Sequence, residues 1–251
     1  MKNTLITLLL VYVGLCAALF FMQRKFLYFP QPATSVNDAT DIQLSGAGIQ
    51  LQGWVVNEGR HRALLYYGGN AENVEHNIAF FKSVLPDYTV YLIPYRGYGN
   101  NPGQPTENHL YADALAIFDQ IKDRHRRIAL MGRSLGSGVA SYVAAKRMVD
   151  TVILVTPFDS IENVATDIYW MFPVSWLLKD KFQSLRRVDA ISAKTHVFIA
   201  ENDRVIPRIR TDQLLTHFGE QLQQVVVIKG ANHNNIAQYP DYIAGLKRAL
   251  K

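Results

Sequence analysis

The chain lacks the groups that carry several common chemistries. It has one cysteine, Cys16, so no disulfide can form within it. No His-x-x-x-His pair and no paired-cysteine motif occurs, so no metal site is expected, and no cofactor is implied. The formal charge is +5, yet the basic residues come in small groups, at 124–127, 179–181, 186–187 and 204–210. No long basic run and no aromatic-interleaved motif is present, so a nucleic-acid partner is not expected. Internal repeats and low-complexity segments are absent as well.

What remains is ordinary globular composition with an apolar excess, 49% hydrophobic and 19% charged over 251 residues. That length suits a single α/β domain able to bury its own core. Much of the apolar excess sits at the start. Residues 4–22, "TLITLLLVYVGLCAALFFM", hold no charge. As a helix they would span roughly 28 Å, about one hydrocarbon core. A cleaved signal peptide is the rival reading, with Cys16 and Ala18 as small cleavage-site residues. Leu19, Phe20 and Phe21 carry the apolar run past that point, which favours an uncleaved single-pass anchor over residues 1–23. Lys2 with the amino terminus balances Arg24 and Lys25, so the flanking charges do not orient the helix. The rest of the chain is expected on the extracytoplasmic side. Residues 24–40, basic and aromatic and then proline-containing, read as a juxtamembrane linker.

From residue 41 to 251, strand-like runs alternate with helical patterns. Strands are expected at 42–44, 53–56, 63–67, 89–93, 128–131, 151–155, 196–200 and 224–228, and helices at 71–84, 108–122, 137–147, 208–217 and 239–250. The later strands are short continuous apolar runs, as in strands covered on both faces. The alternation predicts an α/β fold with a mostly parallel eight-stranded sheet flanked by helices, the first two strands forming an antiparallel edge. Residues 157–192 break the pattern. There Tyr169, Trp170, Phe172 and Trp176 cluster around Pro173, which suits a small cap over a pocket as well as a helix packed on the sheet.

The stretch "RIALMGRSLGSGVASYVAAKR" runs from a strand through glycines into a helix. A P-loop needs a Gly-Lys-Ser/Thr five residues after its first glycine, and no lysine stands there. A dinucleotide fingerprint needs glycines first, third and sixth, whereas Gly132, Gly136 and Gly138 fall first, fifth and seventh. The spacing that fits is Gly-x-Ser-x-Gly over Gly132, Ser134 and Gly136. A serine on so tight a strand-to-helix turn needs small residues two before and two after it, and its hydroxyl projects at a helix N-terminus.

A nucleophilic serine needs a base and an acid to orient that base. Of the seven histidines, only His233, in "KGANHNNIAQYP", lies in a loop after the last strand. Asp203, three residues past the seventh strand in "VFIAENDRVIP", is the acid candidate; Glu201 and Asp159 are the alternatives. The order Ser, Asp, His is the one this arrangement uses. The oxyanion donors are expected to be the N–H groups of Leu135, after the serine, and Asn70, after Gly68 and Gly69. Gly69, Tyr98, Trp170 and Phe172 are candidate pocket residues.

These motifs together resemble the α/β-hydrolases, and more narrowly the membrane-anchored α/β-hydrolase-domain proteins related to depalmitoylases and lysophospholipases. The blocks "YYGGNAENV", "PYRGYGNNPGQPTE", "GRSLGSGVA", "TPFDSIENVA", "ENDRVIP" and "NHNNI" carry the resemblance along nearly the whole chain. It departs at Gly68, where the family has histidine, at Pro94, where it has aspartate, and at Asn101, where it has serine. The resemblance implies a Ser134–His233–Asp203 triad and hydrolysis of an ester or thioester of a lipid-like acyl group. A serine peptidase and a non-catalytic membrane scaffold are the competing readings.

Overall fold

The computed structural model describes residues 2–34 and 39–251. Eight strands form one sheet in the order β1-β2-β4-β3-β5-β6-β7-β8. They are β1 (Thr40–Ser45), β2 (Gln50–Val56), β3 (Arg62–Tyr67), β4 (Tyr88–Leu92), β5 (Arg127–Arg133), β6 (Thr151–Val155), β7 (Lys194–Ala200) and β8 (Leu222–Ile228). Strands β3 to β8 run parallel, and β2 pairs antiparallel with both β1 and β4, the edge expected from the missing helices.

The helices are α1 (Lys2–Leu27), α2 (Ile78–Val84), α3 (Glu107–Ile121), α4 (Leu135–Lys146), α5 (Ile161–Ile168), α6 (Val174–Leu177), α7 (Arg208–Leu215) and α8 (Pro240–Ala249). They cover both faces of the sheet, which is why β4 is buried at every position and β6 at all but its first. Alternate residues of β3 divide between two cores. Leu65 and Tyr67 pack with α3 and α4, while Leu64 and Tyr66 pack with α2 and α8. Helix α3 shows how local sequence sets an element. The Thr106 hydroxyl accepts from the His109 N–H at its start, and Leu110, Ala114, Ile117, Phe118 and Ile121 form its buried stripe.

Two expectations are corrected. The helix anticipated over 71–84 begins late, as a 3₁₀ turn at Val74–Asn77 followed by α2. Its first residues are held in a turn because Glu72 folds back to accept the Gly69 N–H. The expected linker of 24–40 is helical as far as Leu27, and its next residues lie against the domain. Tyr28 is buried, the Phe29 N–H donates to the Asn70 carbonyl, and Thr34 donates from its N–H and hydroxyl to Glu75. Residues 35–38 of that segment lie outside the described residues.

Between β6 and β7 the chain leaves the sheet to form α5, α6 and a 3₁₀ turn at Leu185–Ala190. This excursion stands over the C-terminal ends of the parallel strands, where open α/β sheets place their sites. Helix α1 is long and apolar enough to cross a membrane.

Candidate active site

Ser134 occupies the turn between β5 and α4 with φ 51° and ψ −120°, a left-handed conformation that a side-chain-bearing residue adopts only when its surroundings enforce it. The two flanking glycines are what permit it. A Cβ on Gly132 would run into the Gly136 backbone, and one on Gly136 into the carbonyl oxygens of Tyr67 and Gly68. Small residues at both places let α4 start directly above β3 and β5.

His233 and Asp203 come to this serine from two other loops. His233 Nε2 lies 2.9 Å from Ser134 Oγ, and His233 Nδ1 lies 2.7 Å from Asp203 Oδ2. The other Asp203 oxygen accepts the N–H groups of Val205 and Ile206, each at 2.9 Å, which fixes the carboxylate plane. A carboxylate accepting at Nδ1 sets the tautomer in which Nε2 is the acceptor facing the hydroxyl. The two alternative acids are engaged elsewhere. Asp159 is buried against Ser160, Asn163 and Arg210, and Glu201 accepts the Gly230 N–H.

Leu135 and Asn70 both line the cleft beside Ser134. Leu135 opens α4, where the first N–H groups have no partner inside the helix and the dipole favours negative charge. Asn70 is held from several sides. Its carbonyl accepts from the Tyr98 hydroxyl at 2.6 Å and the Phe29 N–H at 3.2 Å, and its amide donates to the Leu27 carbonyl at the end of α1. The Tyr95 hydroxyl holds the neighbouring Gly68 carbonyl at 2.9 Å. Burial pushes both phenols well above their ordinary range, so both stay protonated donors.

Of the expected pocket residues, Phe172 lines the cleft. Tyr98 does not; it is buried and supports Asn70 from behind. Gly69 approaches the elbow from the side, a Cβ there lying 3.8 Å from the Ser134 Cβ. Trp170 does not line the cleft and is 76% exposed. At the positions that depart from the family pattern, Asn101 is buried and bonds the Pro94 carbonyl and both backbone groups of Gln52, pinning the 94–101 loop to β2.

A charged pair beneath the site is absent from the sequence expectations. Arg133, within the Gly-x-Ser-x-Gly motif, pairs with Glu72 at 2.9 Å and reaches the His233 carbonyl and Asn234 Oδ1 with its other nitrogen. Glu72 also accepts from Tyr66, Asn77 and the Gly69 N–H. Burial lowers the Arg133 pKa, but Glu72, together with Tyr66 and Tyr242, offsets this and the guanidinium ends above its ordinary value. The pair therefore ties together the elbow, the Gly69–Asn70 loop and the histidine loop. Among the described residues, no group of three or more His, Cys, Asp or Glu side chains is placed to hold a metal ion.

The cleft over Ser134 has a volume of about 280 Å³. One wall is the cap, with Ile161, Val164, Ile168, Phe172 and Leu177; the other is α1, with Leu19, Gln23, Phe26 and Leu27. Asn70, Gln23 and Ser134 are its hydrogen-bonding side chains apart from the Tyr169 phenol.

Comparison with known proteins agrees with this architecture. Residues 80–187 match the family model described as serine aminopeptidase, S33. An uncharacterized protein of Mycobacterium tuberculosis, Rv2307c, is 31% identical over 243 residues, covering 90% of this chain and 85% of the relative. The lysophosphatidylserine lipase ABHD12 of Macaca fascicularis is 32% identical over 170 residues, 59% of this chain; the match spans only 43% of that lipase. Among solved structures, the Pyrococcus furiosus esterase Pf2001 superposes with a TM-score of 0.70 at 16% identity, over 89% of this chain and all of that one. The chain belongs to the α/β-hydrolase superfamily.

Proposed function

We propose that this α/β hydrolase is a serine hydrolase cleaving carboxylic esters or thioesters of lipid-like acyl groups, with residues 41–251 as its catalytic domain, held at a membrane by its N-terminal helix. The observation that carries the reading is the chain of contacts Asp203–His233–Ser134, at 2.7 and 2.9 Å, at the floor of an apolar cleft. In this account His233 Nε2 takes the Ser134 proton as Oγ attacks the acyl carbonyl. The Leu135 and Asn70 N–H groups receive the oxyanion. Asp203 steadies the imidazolium that forms. His233 then gives its proton to the departing alcohol or thiol, leaving an acyl-enzyme. A water deprotonated by His233 releases the acid and restores Ser134.

The cleft lining supports an acyl chain, and the lipase named among the relatives acts in name on a single-chain lipid. The family description favours a peptidase instead. An aminopeptidase needs an acid near the serine to hold a free amine, and no carboxylate lines the cleft among the described residues. The test is a panel of acyl esters and thioesters of increasing chain length beside aminoacyl amides, run on the wild type and on Ser134→Ala. Serine-dependent turnover of long acyl esters supports the proposal. Amide-only turnover indicates a peptidase, and no turnover of any substrate indicates a scaffold.

A further inference from the structure

The cap segment from 168 to 178, "IYWMFPVSWLL", has no charge and is bounded by Asp167 and Lys179. Several of its large side chains face outward: Trp176 is 87% exposed, and Ile168, Trp170 and Met171 are also exposed. A patch of this size on a water-facing surface calls for a partner. Its position relative to α1 identifies that partner. Phe172 stacks on Tyr12 of α1, with ring centroids 5.7 Å apart. Tyr12 lies ten residues before Met22, where the uncharged run of α1 ends. At 1.5 Å per residue that is about 15 Å, half the thickness of a typical hydrocarbon core.

The charged end of the segment sits at the matching level. Lys179 Nζ lies 3.9 Å from the centre of the Phe20 ring, and Asp180 pairs with Arg24. The charges on cap and helix thus share one level, and apolar cap surface lies beside the apolar part of the helix. The polar side chains that α1 carries into this contact partner cap backbone. The Tyr12 hydroxyl donates to the Met171 carbonyl at 2.9 Å. The Gln23 amide donates to the Leu177 carbonyl and accepts the Lys179 N–H. Hydrocarbon demands such partners, since no water is present to supply them.

We propose that the 168–178 segment is immersed in the leaflet alongside α1, so that the cleft between cap and helix opens into lipid and an acyl chain reaches Ser134 sideways from the bilayer. Leu19 on the helix side and Ile168 and Phe172 on the cap side then form the lips of that opening. The leaflet is the partner because the patch is continuous with the apolar face of α1. This deepens the reading of Ser134 as an acyl nucleophile and of α1 as a membrane anchor, and it rests on both.

The test uses the full chain in vesicles of phosphatidylcholine brominated along its acyl chains, read by tryptophan emission. Trp170 and Trp176 are exposed on the cap, whereas Trp54 is buried in β2. Brominated chains should quench most of the cap emission, and the double variant Trp170→Phe/Trp176→Phe should lose the quenchable part. Quenching by aqueous iodide with none by brominated lipid overturns the proposal, and the face then meets water, a soluble partner or a second copy. A second arm uses Trp176→Glu with a long-chain ester carried in the vesicles and a water-soluble acetate ester. Turnover of the vesicle-borne ester should fall about tenfold or more, since a carboxylate resists hydrocarbon, while the acetate ester is unaffected. Equal loss on both, or loss on neither, refutes delivery from the leaflet. If the wild type hydrolyses neither ester, the nucleophile reading fails, and the quenching arm alone decides whether the cap is immersed.

Discussion

Glu72→Gln should loosen three loops of the site at once. The carboxylate accepts four hydrogen bonds: Tyr66 at 2.6 Å and Asn77 at 2.7 Å on one oxygen, Gly69 N–H at 2.7 Å and Arg133 at 2.9 Å on the other. An amide keeps the shape but turns one oxygen into a donor, so one pair of donors meets another donor. If the amide nitrogen faces Gly69 and Arg133, both lose their acceptor. If it faces the other way, Tyr66 can rotate to accept, but Asn77 can accept only by flipping its amide, which gives up its bond to the Val74 carbonyl. In either orientation Arg133 loses its counter-charge in a place where its side chain is only 20% exposed and that of residue 72 only 11%. Breaking a fully buried pair costs about 3–5 kcal/mol, and the residual exposure reduces this to about 2–4 kcal/mol. For a chain of this size the melting temperature should drop by about 4–15 °C. The same change frees the Gly69–Asn70 loop and the His233 carbonyl contact, so labelling by a fluorophosphonate should slow by about 10–100-fold. Thermal unfolding in detergent and the labelling rate are the two readouts. A melting temperature within about 2 °C of wild type together with an unchanged labelling rate would refute the reasoning.

Other substitutions separate support from chemistry. Gly136→Ala drives a methyl into the Tyr67 and Gly68 carbonyls, at and just past the end of central strand β3, where the backbone cannot yield, so it should cost about 3 kcal/mol in denaturant unfolding and abolish labelling of Ser134. Tyr98→Phe removes the hydroxyl that holds the Asn70 carbonyl at 2.6 Å, and kcat should fall about tenfold with little change in KM; an effect on KM alone would return Tyr98 to the pocket wall. In a double-mutant cycle on Arg24 and Asp180, Asp180→Ala should be the costlier single change, by about 1 kcal/mol, because that side chain is 7% exposed and also accepts the Glu107 N–H, whereas Arg24 is 45% exposed. The coupling energy measured by chemical unfolding should stay below about 1 kcal/mol.

The features legible in the sequence are those set by local pattern. The strand runs and the glycine spacing at 132 and 136 constrain the backbone within a few residues, and the structure has eight strands and a Ser134 turn where they indicate. Chain order and loop position point to Asp203 and His233; the fold brings these two within hydrogen-bond distance of each other, and His233 within that distance of Ser134. What stayed hidden depends on partners far apart in the chain. Glu72 and Arg133 are 61 residues apart, and either alone reads as a surface charge. Tyr98 sits in a distinctive motif, which marks it as important without saying whether its hydroxyl meets substrate or backbone. The motif also carries Tyr95 and Asn101, and in the structure all three support loops. Helix α1 is legible as an apolar span and illegible as a cleft wall, because an uncharged run reveals nothing of which side faces the domain. Tyr12 and Gln23 carry the local hint, as polar side chains of that helix that bond the cap backbone.

The most direct test of the central claim is covalent trapping of the nucleophile. The full chain in detergent is treated with a fluorophosphonate and digested, and the adduct is placed by mass spectrometry, with Ser134→Ala and His233→Gln run beside it. The account predicts one adduct, on Ser134, absent from Ser134→Ala and slowed by roughly 10³-fold or more in His233→Gln, because an unassisted serine hydroxyl is a poor nucleophile. An adduct on another residue, labelling that survives Ser134→Ala, or no labelling of the folded wild-type chain would contradict it.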